Sequence, residues 1–322
     1  QYTMTDVIDD VEAVRKALGY GKIHLLSFSY GTRLALVYCM RYPESVSRVV
    51  LAGANPPGHF YWFPEKTEEI LYRWDRIYTA AGRESLVTTL QQVLDRLPEK
   101  WACYRLDKDK IKCGTFLALS QNDLAIMVFD AYYRALEKKD YSGIYMISLL
   151  FDMAMKNVTW GDMYSKGASA DMQPGIPYRE NLRRADSTTV LGPNLSLLLW
   201  GTIHAWNNFM IPAEYRSMRE IPAEILVVSG DLDVPTPADY ARDELMPFLP
   251  SGKQVVLENT GHGDLQTAQP EAYHHMINHF YNTGLVDTTR FKPQNIDLRP
   301  SKKLYRIAKA GFPLVVVMGW VY

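Results

Sequence analysis

The fold is decided by the stretch IHLLSFSYG at residues 23–31. An apolar run over residues 23–26 predicts a short strand, and residues 32–42 carry apolar side chains at helical spacing until a proline ends the helix. Between the two lies a small-x-Ser-x-Gly motif centred on Ser29. Such a motif at a strand-to-helix turn lifts the serine hydroxyl clear of the sheet, and the next backbone N–H, that of Tyr30, is then one oxyanion donor.

The flanking segments continue the alternation of helix and strand. Residues 5–18 predict an amphipathic helix, with apolar side chains from Val7 to Leu18 at helical spacing. Residues 46–52 predict a second apolar strand, which ends at a glycine and a Pro-Pro-Gly turn. Short links between helix, strand, helix and strand are typical of parallel sheets. The predicted fold class is therefore α/β with a mostly parallel sheet.

The pattern changes after residue 60. From about residue 64 to residue 210 it is helical with few strand-like runs, and residues 157–195 are rich in Gly, Ser, Asp and Pro and are expected to be loop-like. Strand character returns at residues 224–228 and 253–257. We therefore predict an α/β core that a helical cap interrupts. The predicted parts are the first part of the core at 1–60, the cap at 61–210, the rest of the core at 211–285 and a C-terminal tail at 286–322.

Two further polar signals follow predicted strands. Asp231 and Asp233 come after the strand at 224–228, and His262 stands between two glycines after the last strand. Ligand and catalytic sites of parallel α/β sheets lie at the carboxyl ends of the strands. The order serine, aspartate, histidine is the chain order of nucleophile, acid and base on such sheets. We therefore expect these side chains to meet Ser29.

Each residue has an expected role in acyl transfer. Ser29 attacks an acyl carbon, and His262 acts first as general base and then as general acid. Asp233 is predicted to orient the imidazole, because Asp231 lies in the immediate turn and is expected to bind the loop backbone. The alternative for these aspartates is capping of a helix that begins near Pro237.

The other histidines do not indicate a metal. His274, His275 and His279 lie on a predicted helix without the H-E-x-x-H pattern and are expected on its surface. His24 lies in a strand and His59 in a loop, and neither gathers partners in the sequence. We predict no metal and no cofactor.

Composition excludes several classes of partner. The chain has 35 Lys and Arg against 36 Asp and Glu, a net charge of −1, so it lacks the basic surplus typical of nucleic-acid binders. Its longest apolar stretch, residues 311–322, is too short to cross a bilayer. The cysteines at 39, 103 and 113 favour reduced thiols; the alternative is a disulfide between Cys103 and Cys113 in an oxidising compartment.

Three segments carry a family resemblance: SYGT at residues 29–32, SGDLDVPTP at 229–237 and GHG at 261–263. Together they resemble the tripeptidyl and prolyl aminopeptidase branch of the α/β-hydrolases. The resemblance covers residues 1–60 and about 200–285. It implies an α/β-hydrolase fold with Ser29, Asp233 and His262 as the triad. It also implies serine hydrolysis at peptide N-termini or of related esters and amides.

The sequence departs from this family at two positions and at its beginning. Ser27 stands where the family usually has glycine, and Ala52 stands where many members have an acid. The resemblance implies several strands before the helix at 5–18, and the second oxyanion donor lies in a loop among them. We therefore expect an N-terminally incomplete chain that takes a missing N-terminal fragment as partner. Family members are often exported, which favours a secreted or periplasmic location and leaves a cytoplasmic one open.

The sequence leaves three alternatives open for the function. An aminopeptidase needs cap acids for the substrate ammonium, and the candidates are Asp123, Asp130, Asp152 and Asp162. A carboxylesterase needs only an apolar acyl pocket, which the aromatic and Met residues of the cap could line. The third alternative is a protein of the same fold that binds its ligand without catalysis.

Overall fold

The computed structural model describes the backbone of residues 2–172, 176–184, 189–206 and 210–318, and it describes their side chains except for His204 and residues 311–318. The strands are β1 Ile23–Phe28, β2 Val46–Ala52, β3 Lys100–Trp101, β4 Tyr104–Arg105, β5 Glu224–Gly230 and β6 Gly252–Leu257. The α-helices are α1 Met4–Ala17, α2 Tyr30–Arg41, α3 Pro64–Ala80, α4 Leu86–Asp95, α5 Lys108–Ala118, α6 Asn122–Lys138, α7 Ser142–Met155, α8 Trp160–Met163, α9 Ser169–Asp171, α10 Tyr178–Arg184, α11 Asn194–Trp200, α12 Ala238–Tyr240, α13 Pro270–Thr283 and α14 Lys303–Met318.

Four strands form one parallel sheet in the order β1-β2-β5-β6. Phe28 at the end of β1 is in register with Ala52 at the end of β2, and Ala52 is in register with Val228 of β5. The strands therefore end at one edge of the sheet, where the loops that follow them come together. The predicted parallel α/β architecture with a helical insertion is confirmed.

The central strands are buried on both faces, as parallel strands between helices must be. Successive side chains point to opposite sides, so Val49 and Ile225 pack in the cluster that contains α1 and α2, while Val50 and Leu226 pack against α13. This packing fixes the register of the sheet, and the register sets where each loop that follows a strand begins along the strand direction.

The edge strand β1 is more exposed than the central strands. Leu26 is 58% exposed and Phe28 is 38% exposed. The neighbouring helix α1 forms as predicted, but its apolar stripe faces outward, with Val14 58% and Leu18 61% exposed. The reason is that Met4 and Ile8 are buried in the core on the opposite face. Glu12 lies on that same inward face, where Arg15, Lys16 and Tyr38 hold its carboxylate.

The loop-like expectation for residues 157–195 is wrong for most of the described residues in that range. They contain α8, a π-helical turn at Tyr164–Ala168, α9, α10 and the start of α11. Gly167 explains part of the difference, because a Cβ there would lie 2.8 Å from the ring of Trp200. Glycine has a low helix propensity and therefore predicts a loop at residue 167. In the structure the close contact with the Trp200 ring requires a glycine at this position.

The described residues fall into two compact units. The core unit comprises Gln1–Trp62, Thr159–Arg179 and Leu199–Asn295, and the helical unit comprises Phe63–Val158, Glu180–Leu198 and Ile296–Tyr322. The helical unit also contains the small antiparallel pair β3 and β4, which the sequence pattern did not indicate. The domain limits proposed from sequence at residues 60, 210 and 285 remain predictions.

No helix in the described part of the chain is both long and apolar enough to cross a membrane. Cys39 and Cys113 are buried and Cys103 is exposed, and all three are free thiols. Of the two alternatives for the cysteines, the structure therefore has reduced thiols and not a disulfide between Cys103 and Cys113. Side chains of the apolar stretch that begins at residue 311 lie outside the described part.

Candidate active site

Ser29 occupies a sharp turn between β1 and α2. Its φ of 53° lies in the left-handed region, which few non-glycine residues adopt. The turn is held because the Ser29 N–H donates to the Ala52 carbonyl at 2.9 Å and the Ser29 carbonyl accepts from the N–H of Thr32 at 2.9 Å. Ser27, one of the departures from the family pattern, fits here since its hydroxyl donates to the Val50 carbonyl at 2.9 Å.

His262 lies between Ser29 and Asp233. Its Nε2 is 2.8 Å from the Oγ of Ser29, and its Nδ1 is 2.8 Å from Oδ2 of Asp233. Asp233 is fully buried and His262 is 8% exposed. The structure thus brings together the three residues that follow strands β1, β5 and β6. The serine hydroxyl can donate to one ring nitrogen while the other ring nitrogen donates to the carboxylate.

Thr236 completes the hydrogen bonds of Asp233 and was not predicted from the sequence. Its backbone N–H donates to Oδ1 at 2.7 Å, and its hydroxyl donates to Oδ2 at 2.8 Å. The same hydroxyl oxygen is 3.0 Å from Nδ1 of His262. The predicted alternative of helix capping is therefore realised in part, because Asp233 binds the N–H at the start of the following turn. One carboxylate both closes this turn and contacts the imidazole.

Asp231 lies in the turn directly after β5 and does not contact His262 among the bonds described. Its Oδ1 accepts from the Thr260 N–H at 3.2 Å, which ties the loop after β5 to the loop after β6. Gly230 allows this approach, because a Cβ at that position would lie 2.1 Å from the Thr260 carbonyl oxygen. The two aspartates thus have different surroundings, one facing the backbone and one facing the ring.

Gly53 and Phe28 frame the imidazole. Gly53 has a φ of +60°, and a Cβ there would lie 2.8 Å from Cε1 of His262 and 3.1 Å from the Thr236 hydroxyl. The ring of Phe28 lies 4.7 Å from the imidazole, centroid to centroid. The sequence suggested only that Gly53 ended a strand, and its closeness to the histidine requires the fold.

The predicted oxyanion donor, the Tyr30 N–H, belongs to the first residue of α2. A first-turn N–H has no acceptor within its helix, so it can point to a ligand, and the positive end of the helix dipole adds to its effect. The Tyr30 side chain is largely buried, and burial raises the pKa of its phenol. Its hydroxyl has no hydrogen-bond partner within the described residues.

A cavity of about 290 Å³ opens on Ser29 within the core unit. Most of its wall is apolar and aromatic. Two indoles are fixed by their N–H groups, since Trp62 donates to the Pro235 carbonyl at 3.1 Å and Trp200 donates to the Phe60 carbonyl at 2.8 Å. Such a wall suits an apolar acyl or side-chain group. The apolar and aromatic lining residues are Tyr30, Phe60, Trp62, Met163, Leu199, Trp200 and Pro235.

The same cavity has polar groups at part of its wall. Asp162, one of the predicted ammonium-binding acids, lines it together with Lys166, and the two form an ion pair. His59 also lines it, with Nε2 2.7 Å from the carboxylate of Glu244 and its ring 3.8 Å from that of Tyr240. The expectation that His59 has no partners is therefore wrong, because its partners come from residues about 180 positions further along the chain.

A buried ion pair supports the wall at Phe60. Nη2 of Arg33 lies 3.5 Å from Oδ1 of Asp171, and both side chains are fully buried. Oδ2 of Asp171 accepts from the Phe60 N–H at 3.3 Å. Burial raises the pKa of Asp171, while the neighbouring guanidinium opposes that change. Breaking such a pair leaves a buried charge, so both residues are important for the shape of the cavity.

The remaining predicted candidates lie elsewhere. Of the four acids proposed for an ammonium, Asp123, Asp130 and Asp152 belong to the helical unit, where Asp152 pairs with Lys110 at 2.8 Å. His275 on α13 pairs with Asp287 at 2.7 Å. Within the described ranges, no group of three or more His, Cys, Asp or Glu side chains could hold a metal ion.

Comparison with known proteins shows to which family the chain is similar. A family model described as alpha/beta hydrolase fold matches residues 1–267. A curated serine protease, Hip1 of Mycobacterium tuberculosis, is 40% identical over 52 residues, which are 16% of this chain and 10% of that protein. YuaR of Escherichia coli, named as a hydrolase, is 35% identical over 48 residues, which are 15% of this chain and 10% of that protein. The chain thus spans about a tenth of the length of the curated relatives it matches.

The solved structures that are similar to this chain include two hydrolases. A meta-cleavage product hydrolase from Pseudomonas fluorescens IP01 is 16% identical with a TM-score of 0.42, covering 88% of this chain and 74% of that one. The esterase EaEST from Exiguobacterium antarcticum is 14% identical with a TM-score of 0.41, covering 88% of this chain and 75% of that one.

Proposed function

Since this chain belongs to the α/β-hydrolase fold family, we propose that it is a serine hydrolase that cleaves amide or ester bonds through Ser29, His262 and Asp233. The observation that carries the proposal is the continuous set of contacts from the serine hydroxyl through both ring nitrogens to a buried carboxylate. These contacts provide a nucleophile, a base and an orienting acid in the arrangement that acyl transfer needs.

The first half of the reaction forms an acyl-enzyme. Nε2 of His262 takes the proton of Ser29 as Oγ attacks the substrate carbonyl carbon. The negative charge that develops on the carbonyl oxygen is stabilised by the Tyr30 N–H. Asp233 keeps the imidazole in the tautomer that presents an unprotonated Nε2 and stabilises the imidazolium. His262 then gives its proton to the leaving amine or alcohol, and the carbon–nitrogen or carbon–oxygen bond breaks.

The second half returns the enzyme to its starting state. A water takes the place of the leaving group, and Nε2 of His262 accepts its proton as the water oxygen attacks the acyl carbon. The bond between the carbonyl carbon and Oγ of Ser29 then breaks, and His262 reprotonates the serine. The products are a carboxylic acid and the free hydroxyl of Ser29.

Within serine hydrolases, we favour an aminopeptidase-like substrate. Two observations support this choice: the partial identity to a protein named as a serine protease, and Asp162 in the wall of the Ser29 cavity. Asp162 could bind a substrate ammonium if Lys166 turned away from it. The carboxylesterase alternative is supported by the aromatic wall, which needs no charge on the substrate. The non-catalytic alternative would require the Ser29–His262 contact to have no chemical role.

The test is a comparison of three substrates: an aminoacyl anilide with a free amine, its N-blocked form and a short acyl ester. An aminopeptidase cleaves the anilide with a free amine and cleaves the N-blocked anilide much more slowly. Its Asp162→Asn variant should also cleave the anilide with a free amine much more slowly than the unmodified chain does. An esterase cleaves the ester and does not distinguish the two anilides. Absence of turnover on all three would overturn the proposal of a hydrolase for these substrate classes.

A further inference from the structure

The helical unit contains a second cavity, of about 210 Å³, beside α6 and the start of α14. Met127, Ala131 and Leu304 give it an apolar floor, and the rings of Tyr133 and Tyr305 line its sides. None of these residues belongs to the core unit that contains Ser29. A cavity of this size can hold a small organic group, since an apolar cavity of about 150 Å³ holds benzene.

The polar lining of this cavity is strongly cationic. The cationic residues are Arg83, Arg134, Lys138, Lys302 and Lys303, and the acids are Asp130 and Glu137. Five positive side chains against two negative ones give a formal charge of +3, in a chain whose net charge is −1. Such a local excess attracts anions over the range of the Debye length.

The two arginines are held in fixed positions by aromatic rings and backbone. Arg83 donates to the Leu298 carbonyl at 3.0 Å, and its Cζ lies 4.6 Å from the ring centre of Tyr133. Arg134 donates through Nε to Asp140 at 2.9 Å, and its Cζ lies 3.8 Å from the ring centre of Tyr305. A guanidinium fixed in this way can bind a carboxylate or phosphate with little loss of side-chain entropy.

Part of this positive charge lacks a counter-charge within the described residues. Lys138, Lys302 and Lys303 make no ion pair there, and neither terminal nitrogen of Arg134 donates a hydrogen bond. The carboxylate of Asp130, already included in this count, faces other partners, since its Oδ2 accepts from the Ser301 N–H and its Oδ1 is 3.7 Å from Arg83.

A neighbouring titratable group agrees with a positive potential at this place. A hydrogen bond with Arg306 lowers the pKa of Tyr305, and the charges of Arg134 and Lys302 lower it further. Asp130 is largely buried, and burial raises the pKa of its carboxyl.

We propose that this cavity binds a small organic anion, in which a carboxylate or phosphate is attached to a flat apolar group. The anionic group contacts Arg134 and the lysines, and the apolar group packs on Met127 and Leu304 beside the ring of Tyr305. The site is separate from the hydrolytic one in residue composition, so its ligand need not be a substrate.

The experiment is isothermal titration of the full chain with phenyl phosphate, benzoate and inorganic phosphate. We expect phenyl phosphate or benzoate to bind more tightly than inorganic phosphate and binding to weaken as salt is added. Lys138→Gln combined with Lys303→Gln should weaken binding roughly tenfold. Both lysines are exposed, so the double variant should fold normally.

The matched control removes two exposed lysines of the same unit that do not line the cavity, Lys100→Gln combined with Lys156→Gln. It should bind as the unmodified chain does. Equal weakening in both double variants would show a general charge effect and overturn the site. Binding of inorganic phosphate as tightly as phenyl phosphate would overturn the apolar part, and no binding of any probe would overturn the proposal.

Discussion

Gly53 and His262 approach so closely that a methyl group on the glycine would lie 2.8 Å from Cε1 of the imidazole. The two residues follow different strands, β2 and β6, and meet at the carboxyl edge of the sheet. The histidine can therefore occupy its place between Ser29 and Asp233 only because residue 53 has no side chain.

Gly53→Ala should displace the imidazole and lower kcat. A shift of about 1 Å at a reacting group can reduce the rate about 100-fold. The control is Gly58→Ala, which also replaces a glycine of positive φ, +89°, but has no atom within 4 Å of the new Cβ. Both variants place an alanine at a positive φ and so carry backbone strain, which is why kcat and thermal stability should be measured together. Equal loss of kcat in the two would show that strain, and not contact with His262, is the cause.

Asp233→Asn should lower kcat by about 10⁴-fold if its role is to set the tautomer of the histidine. Asp231→Asn should have a much smaller effect, because that carboxylate accepts from the Thr260 N–H in the turn after β5. Steady-state kinetics on whichever substrate is cleaved gives the comparison. An Asp231 variant as slow as the Asp233 variant would contradict the assignment of the acid.

Thr236→Val should lower kcat about tenfold or more, since the loss of a hydrogen bond to a buried carboxylate costs about 1.5–3 kcal/mol. KM should change less than kcat, because the hydroxyl acts through Asp233. Thr236→Ser keeps the hydroxyl and should retain most of the activity. Since valine keeps the methyl group of threonine, a valine variant as fast as the unmodified chain would contradict a role for the hydroxyl.

The meeting of Ser29, Asp233 and His262 could be predicted, because each follows an apolar strand and parallel strands end at one edge of the sheet. Thr236 and Gly53 could not, since their importance depends on distances of about 3 Å between loops that are far apart in the chain. The outward face of α1 was missed for a similar reason. Spacing predicts that an apolar stripe exists, but it does not show that the face of Met4 and Ile8 is the one that packs into the core.

Asp140 links the end of α6 to the start of α7 and should make stability depend on pH. Burial opposes its ionisation, but hydrogen bonds from Ser142 and Arg134 outweigh burial and lower its pKa to about 2. A lowered pKa means that the stabilisation is present above about pH 4 and is lost as the pH falls towards 2. Asp140→Asn should therefore cost about 1 kcal/mol at pH 7 and almost nothing near pH 2. Denaturant unfolding of both proteins at the two pH values measures this; a constant difference would contradict it.

The most direct measurement of the central claim is covalent labelling with a fluorophosphonate, followed by mass-spectrometric mapping of the modified residue. The account predicts one label on Ser29, its loss in Ser29→Ala, and strongly slowed labelling in His262→Ala because the base is missing. Ser27→Ala, which removes a nearby hydroxyl that binds the Val50 carbonyl, should label normally. Labelling that persists in Ser29→Ala, or a folded protein that takes no label at all, would contradict the account.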